Sequence, residues 1–144
     1  MTPLIPGTLF LIDTSALARV HDKNVREIIE AQIDAGMAAT CPTIDLEVGY
    51  SARSPEALRT LRQIRIELYV PLPLDERACR RAQNVQQFLA NKGKHRSAGP
   101  IDLLTAAVAE LHRAIVLHYD ADFEHIASVT GQQQRWIVPR GSIA

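Results

Sequence analysis

No apolar run in this 144-residue chain approaches the roughly 20 residues needed to cross a bilayer. Met1 to Gly7 has no basic residue ahead of its short apolar stretch and no small-residue cleavage site, so no secretory leader and a cytoplasmic location are expected. Only two cysteines are present, Cys41 and Cys79, far apart and outside any CxxC spacing. That excludes a zinc ribbon or a disulfide framework and leaves both as expected small, buried hydrophobes. None of the five histidines falls in HxxxH or HExxH spacing, which disfavours zinc hydrolysis. His118, inside an apolar run, reads as a buried, hydrogen-bonded residue. Sixteen basic residues balance sixteen acidic ones, so no global field attracts nucleic acid, and any such recognition must be local. Repeats, low-complexity tracts and long linkers are also missing.

What is present is an ordinary globular composition, 47% hydrophobic and 22% charged, of a length expected to make one domain over 1–144. Apolar runs predict strands at Thr8–Ile12, Met37–Cys41, Glu67–Leu72 and Ala114–Tyr119, with a short last one at Trp136–Val138. Helical patterns lie between them at about 22–35, 42–53, 55–66, 74–92, 100–113 and 122–130, several opened by proline in the first turn. Such alternation predicts an α/β fold with a mostly parallel sheet covered on both faces. Ligands of such sheets bind beyond the carboxyl ends of the strands.

Carboxylates stand where that rule directs attention. Asp13 follows the first strand, and Asp120 and Asp122 follow the fourth. Taken singly, each is explained as an ordinary N-cap. Asp102 opens the segment Ile101 to Leu111, apolar or small nearly all round, and at about 100° per residue it shares a direction with Ala106 and Ala109. Its alternatives are a helix-dipole contact in the first turn and a metal. Glu47, on the same rough 100° step, projects from the arc between Leu46 and Tyr50 on one side and Ile44 and Val48 on the other, and is expected to be buried. A buried, unpaired carboxylate is costly, so it needs a basic neighbour or a cation. Carboxylates gathered in one crevice repel unless a cation joins them, and an oxygen-only set suits Mg²⁺ or Mn²⁺. Ions of this kind activate water and stabilise charge on a phosphodiester in flight.

The segments LFLIDTSAL, PTIDLEVGYSAR, GPIDLLTAAVAE and HYDADFEHIA resemble, in order and spacing, the PIN-domain ribonucleases, and most closely the VapC toxins of bacterial VapBC toxin–antitoxin pairs. The resemblance implies a PIN-like three-layer α/β/α fold with a central sheet of about five strands. It implies Asp13 and Asp102 as principal metal ligands, Glu47 completing the acidic pocket, Asp120 holding a second ion or a water, and Asp122 assisting. Thr14 matches the family hydroxyl, with Ser15 next, and one of them is expected to orient Asp13 or a phosphate oxygen. An RNA substrate, a VapB-type antitoxin and a homodimer follow as implied partners. Tyr119 departs from the pattern, because a smaller residue is expected before the late Asp.

Lys92, Lys94, His95 and Arg96 cluster in a glycine-containing loop ahead of Asp102. They read either as a solvated loop or as phosphate contacts for RNA. The amphipathic helix from Glu56 to Ile66 reads as core packing or, by the resemblance, as part of a groove for an antitoxin segment. Three rivals stand beside the ribonuclease: a phosphoryl-accepting receiver domain, a catalytically silent binding module on the same fold, and a structure-selective DNA nuclease. The receiver needs an acidic pair after the first strand and a late lysine, and no lysine follows Lys94.

Overall fold

The computed structural model describes residues 7–144; residues 1–6, on which the expectation of no leader rests, lie outside the described part. The element order is β1 (Phe10–Ile12), α1 (Thr14–Leu17), α2 (Lys23–Asp34), β2 (Ala38–Thr40), α3 (Pro42–Tyr50), α4 (Pro55–Leu68), β3 (Val70–Pro71), α5 (Glu76–Asn91), α6 (Pro100–Leu111), β4 (Ile115–His118), α7 (Asp122–Thr130) and β5 (Gln134–Trp136). The strands form one sheet in the order β3-β2-β1-β4-β5, and every pairing is parallel.

Side chains of a strand alternate between faces, and here that alternation divides the core in two. Leu11, Ala39 and Val116 point into a cluster filled by Ile44, Val85, Leu89, Leu103, Val108 and Phe123. Their neighbours Phe10, Ile12, Ala38, Ile115 and Leu117 point the other way, onto Ala16, Val25, Ile29, Ile137 and Val138. Helices α3, α5, α6 and α7 thus cover one face and α1 and α2 the other, which is the three-layer sandwich expected from the alternating pattern. Both faces are dry, so the strands read as continuous apolar runs.

Two predicted strands are displaced. Glu67 and Leu68 complete α4, and only Val70–Pro71 pairs with β2. The last strand begins two residues early and is polar, Gln134 to Trp136; it lies on the sheet edge, where burial does not demand an apolar run. Cys79 is exposed on α5, whereas Cys41 is buried as expected. Among the described residues, no helix is long and apolar enough to cross a membrane.

The topology itself places the site. From β1 the chain winds outward through β2 and β3, then returns to β4 on the other side of β1. The carboxyl ends of β1 and β4 therefore flank a switch point, where loops diverge and leave a crevice. A buried hydroxyl pair, Thr43 to Thr105 at 2.7 Å, pins α3 against α6 beneath that crevice.

Candidate active site

Asp13 leaves β1 with its N–H donating to the Leu117 carbonyl of β4 at 3.0 Å. Its Oδ2 accepts from the Ser15 N–H at 3.0 Å, so Asp13 is the N-cap of α1. Capping occupies one oxygen only. Asp13 is 2% exposed, and its Oδ1 is buried with no hydrogen-bond partner. Burial pushes the Asp13 carboxyl up from its usual range, and the charge of Asp120 adds to the rise.

Across the crevice, the Asp120 N–H donates to His118 Nδ1 at 3.1 Å, and the Asp122 N–H donates to Asp120 Oδ1 at 2.9 Å. Because Nδ1 accepts, the His118 proton is on Nε2, which faces Gln134 Oε1 at 2.5 Å. The ring is wholly buried, and burial pushes its pKa down. His118 is therefore a neutral, saturated support, the buried and hydrogen-bonded histidine that the apolar run suggests.

Asp102 sits in the first turn of α6. The cap residue of that helix, Gly99, donates its N–H to Asp122 Oδ2 at 3.2 Å. One oxygen each from Asp102, Asp120 and Asp122 falls within 4.8 Å of the others, the one such group among the described residues. Asp13 is not part of that tight trio, although its charge bears on Asp102. Burial first, then a hydrogen bond with Asp122 and the charges of Asp13, Asp120 and Asp122, push the Asp102 carboxyl up to about 8.

Four aspartates from three segments, after β1, at the start of α6 and after β4, thus crowd one crevice. Among the described residues, no ion pair brings a lysine or arginine to any of them; the less exposed arginines Arg65 and Arg81 are spent on Asp45 and Glu110. An orphaned buried oxygen, mutual repulsion and an oxygen-only donor set are what a divalent cation relieves. These residues fit such an ion.

Glu47 is placed differently from the expectation. The buried side of α3 is Thr43 and Ile44, while Leu46 is 69% and Tyr50 93% exposed. Glu47 is exposed too. Its carboxylate is tied to the start of α1 by Thr14, whose Oγ1 donates to Glu47 Oε1 at 3.0 Å. The two hydroxyl residues therefore divide the work: Thr14 orients Glu47, and Ser15 orients Asp13 through its backbone. Lys92, Lys94, His95 and Arg96 are all exposed, on the loop that ends at Gly99 beside Asp122. Gly99, bonded to Asp122, and Thr105, bonded to Thr43, are contacts that sequence reasoning passed over. A lone hydroxyl in the apolar stretch between Asp102 and Glu110 was the available signal for Thr105; a backbone N–H leaves none.

The sequence profile of the PIN domain matches residues 10–129. The chain belongs to the PIN-domain family. This PIN domain is 42% identical over 135 residues to Ribonuclease VapC21 of Mycobacterium tuberculosis, covering 94% of this chain and 98% of the relative. It is 41% identical over 134 residues to Ribonuclease VapC51 of the same species, covering 93% and 96%. In three dimensions it is similar to the DNA-bound VapBC of Salmonella typhimurium, with a TM-score of 0.72 at 19% identity over 91% of this chain and 99% of that one. It is similar in the same way to VapBC-1 of nontypeable Haemophilus influenzae, at 0.71 and 19% over 90% and 98%. At such identities the structural likeness is one of fold.

Proposed function

We propose that this PIN domain is a metal-dependent endoribonuclease, the toxin of a type II toxin–antitoxin pair, with Mg²⁺ or Mn²⁺ as its cofactor. The observation that carries the reading is the convergence of Asp13, Asp102, Asp120 and Asp122 at the switch point without a protein cation. The names of the two sequence relatives, both ribonucleases, support RNA as the substrate.

Asp102, Asp120 and Asp122 are the residues we assign to hold the ion, with the free Oδ1 of Asp13 as a further ligand. A divalent ion there supplies water of lowered pKa and positive charge against the phosphate. The chain supplies everything else. Ser15 fixes the rotamer of Asp13, the Gly99 N–H and the Asp122 N–H fix Asp122 and Asp120, and Glu47, steered by Thr14, closes the rim of the pocket toward solvent.

Lys92, Lys94 and Arg96 are the cations we assign to the RNA backbone, since an acidic pocket alone repels it. Arg96 has no ion pair to lose among the described residues. We expect Arg96→Ala to weaken RNA binding several-fold at fixed salt and to flatten the salt dependence by about one phosphate contact. Mn²⁺ affinity stays unchanged. Equal RNA affinities in a titration at two salt concentrations would count against this role.

A VapB-type antitoxin is the partner we assign to the groove between α3 and α4, lined by Gly49, Leu58, Leu61, Ile66 and Tyr69. The solved relatives are VapBC pairs, and this largely apolar cleft lies along α4. We assign a homodimer as the free state. The test of the catalytic reading is incubation of purified protein and Mn²⁺ with an RNA and with single-stranded and duplex DNA of matched sequence, beside an EDTA control. RNA cleavage alone is the expected result. Cleavage of DNA instead would favour a structure-selective DNA nuclease, and no cleavage would favour a silent binding module.

A further inference from the structure

Tyr119, the residue that departs from the family pattern, is tied down by a segment far from the acidic site. Its phenol donates to the Ile143 carbonyl at 2.8 Å and accepts from the N–H of Gly141 at 2.9 Å and of Ile143 at 3.3 Å. Trp136 meets the ring edge-on at 5.2 Å between centroids, and the Arg19 guanidinium stacks on it at 4.4 Å. The tail that makes these bonds is itself anchored. Ile137 and Val138 are buried, and Ile143 packs on the same core cluster. Between them the chain turns through Gly141 at φ +79°, a conformation that side-chain-bearing residues adopt only with strain.

Both routes out of this knot end at Ser15. The Tyr119 N–H donates to Ser15 Oγ at 2.9 Å. Arg19, whose Nε donates to the Ala144 carbonyl at 3.0 Å, donates through Nη1 to the Ser15 carbonyl at 2.6 Å. Ser15 in turn holds Asp13 by its N–H, and Tyr119 is bonded directly to Asp120. Asp13 and Asp120 leave neighbouring strands, so their separation depends on whatever spans the two loops. Tyr119 and Ser15 span them.

We propose that the tail 137–144 is a positioning strap for the acidic site, acting through Tyr119 and Arg19 on Ser15 to set the gap between Asp13 and Asp120. Neither Tyr119 nor Arg19 is a catalytic residue, since each acts through another side chain. The inference rests on the metal-site reading above. Ligand groups must be held within about 0.5 Å of productive geometry, and loss of such outer partners typically costs about 10–100-fold in metal affinity.

The test is Mn²⁺ binding by calorimetry to the wild type, to Tyr119→Phe, and to Gly141→Ala, with thermal melts of the metal-free proteins alongside. Tyr119→Phe keeps the ring contacts and removes the three hydrogen bonds; Gly141→Ala strains the tail at its positive φ and leaves the Tyr119 side chain unaltered. Both variants should stay folded and bind Mn²⁺ about tenfold more weakly, and the double variant should be no weaker than the weaker single one, because both break one device. Melting temperatures that fall while Mn²⁺ affinity stays within twofold of wild type would overturn the strap. Failure of the wild type itself to bind Mn²⁺ would overturn the metal reading beneath it, and the two failures are distinct.

Discussion

Replacing Asp102 by asparagine should make the metal-free protein more stable, and the gain should grow with pH. The Asp102 carboxyl titrates near 8 in the folded protein against 3.8 for an unperturbed aspartate. The folded state therefore holds a proton that the unfolded chain releases. Between these two values the native state binds more protons than the unfolded state, so stability falls as pH rises through this window. It is fullest below about pH 4 for this group and is lost by about pH 8. Melts of the wild type in EDTA between pH 5 and 8 should show the decline; Asp102→Asn, which carries no titrating proton, should flatten it and melt higher at pH 8. A steeper decline in the variant would show that the repulsion lies elsewhere. The same variant should lose RNA cleavage, since a neutral amide replaces one carboxylate of the aspartate trio.

Asp13→Asn is the second large effect, and it separates activity from stability. An asparagine oxygen still accepts from the Ser15 N–H, so the α1 cap survives. What changes is the position of Oδ1, where a partnerless buried carboxylate oxygen gives way to an amide facing Asp120. Removing a buried, unpaired charge relieves the fold, so the melting temperature of the metal-free protein should hold or rise. Cleavage should fall by more than about a hundredfold, because outer partners of a metal alone cost about 10–100-fold and Asp13 is assigned as a ligand. Retained cleavage by a folded Asp13→Asn would confine the site to Asp102, Asp120 and Asp122.

Much of this arrangement was legible in the residues, for reasons that can be stated. β1 and β4 are buried on both faces and so appear as apolar runs, and the aspartates after them land together because the strands are parallel neighbours. Asp102 stood out because a charge opening an apolar helix has few explanations. Glu47 was misplaced because periodicity gives a direction around a helix axis but not what packs there; Leu46 and Tyr50 suggested a buried arc that is open to solvent. The edge strand β5 was shifted for a related reason, since Gln134 and Arg135 carry no burial signal. Tyr119 was visible only as a misfit, and its purpose depends on a tail whose contact with it spans more than twenty residues of sequence.

The most direct measurement is the titration of Mn²⁺ into the purified protein at pH 7, by calorimetry in two buffers of different ionisation enthalpy. Binding should release about one proton, because Asp102 is mostly protonated below its value of about 8 and a ligating carboxylate must shed its proton. Asp102→Asn should bind far more weakly and release almost none. Tight binding with no proton release, or equal binding by the variant, would contradict a metal site built on these aspartates.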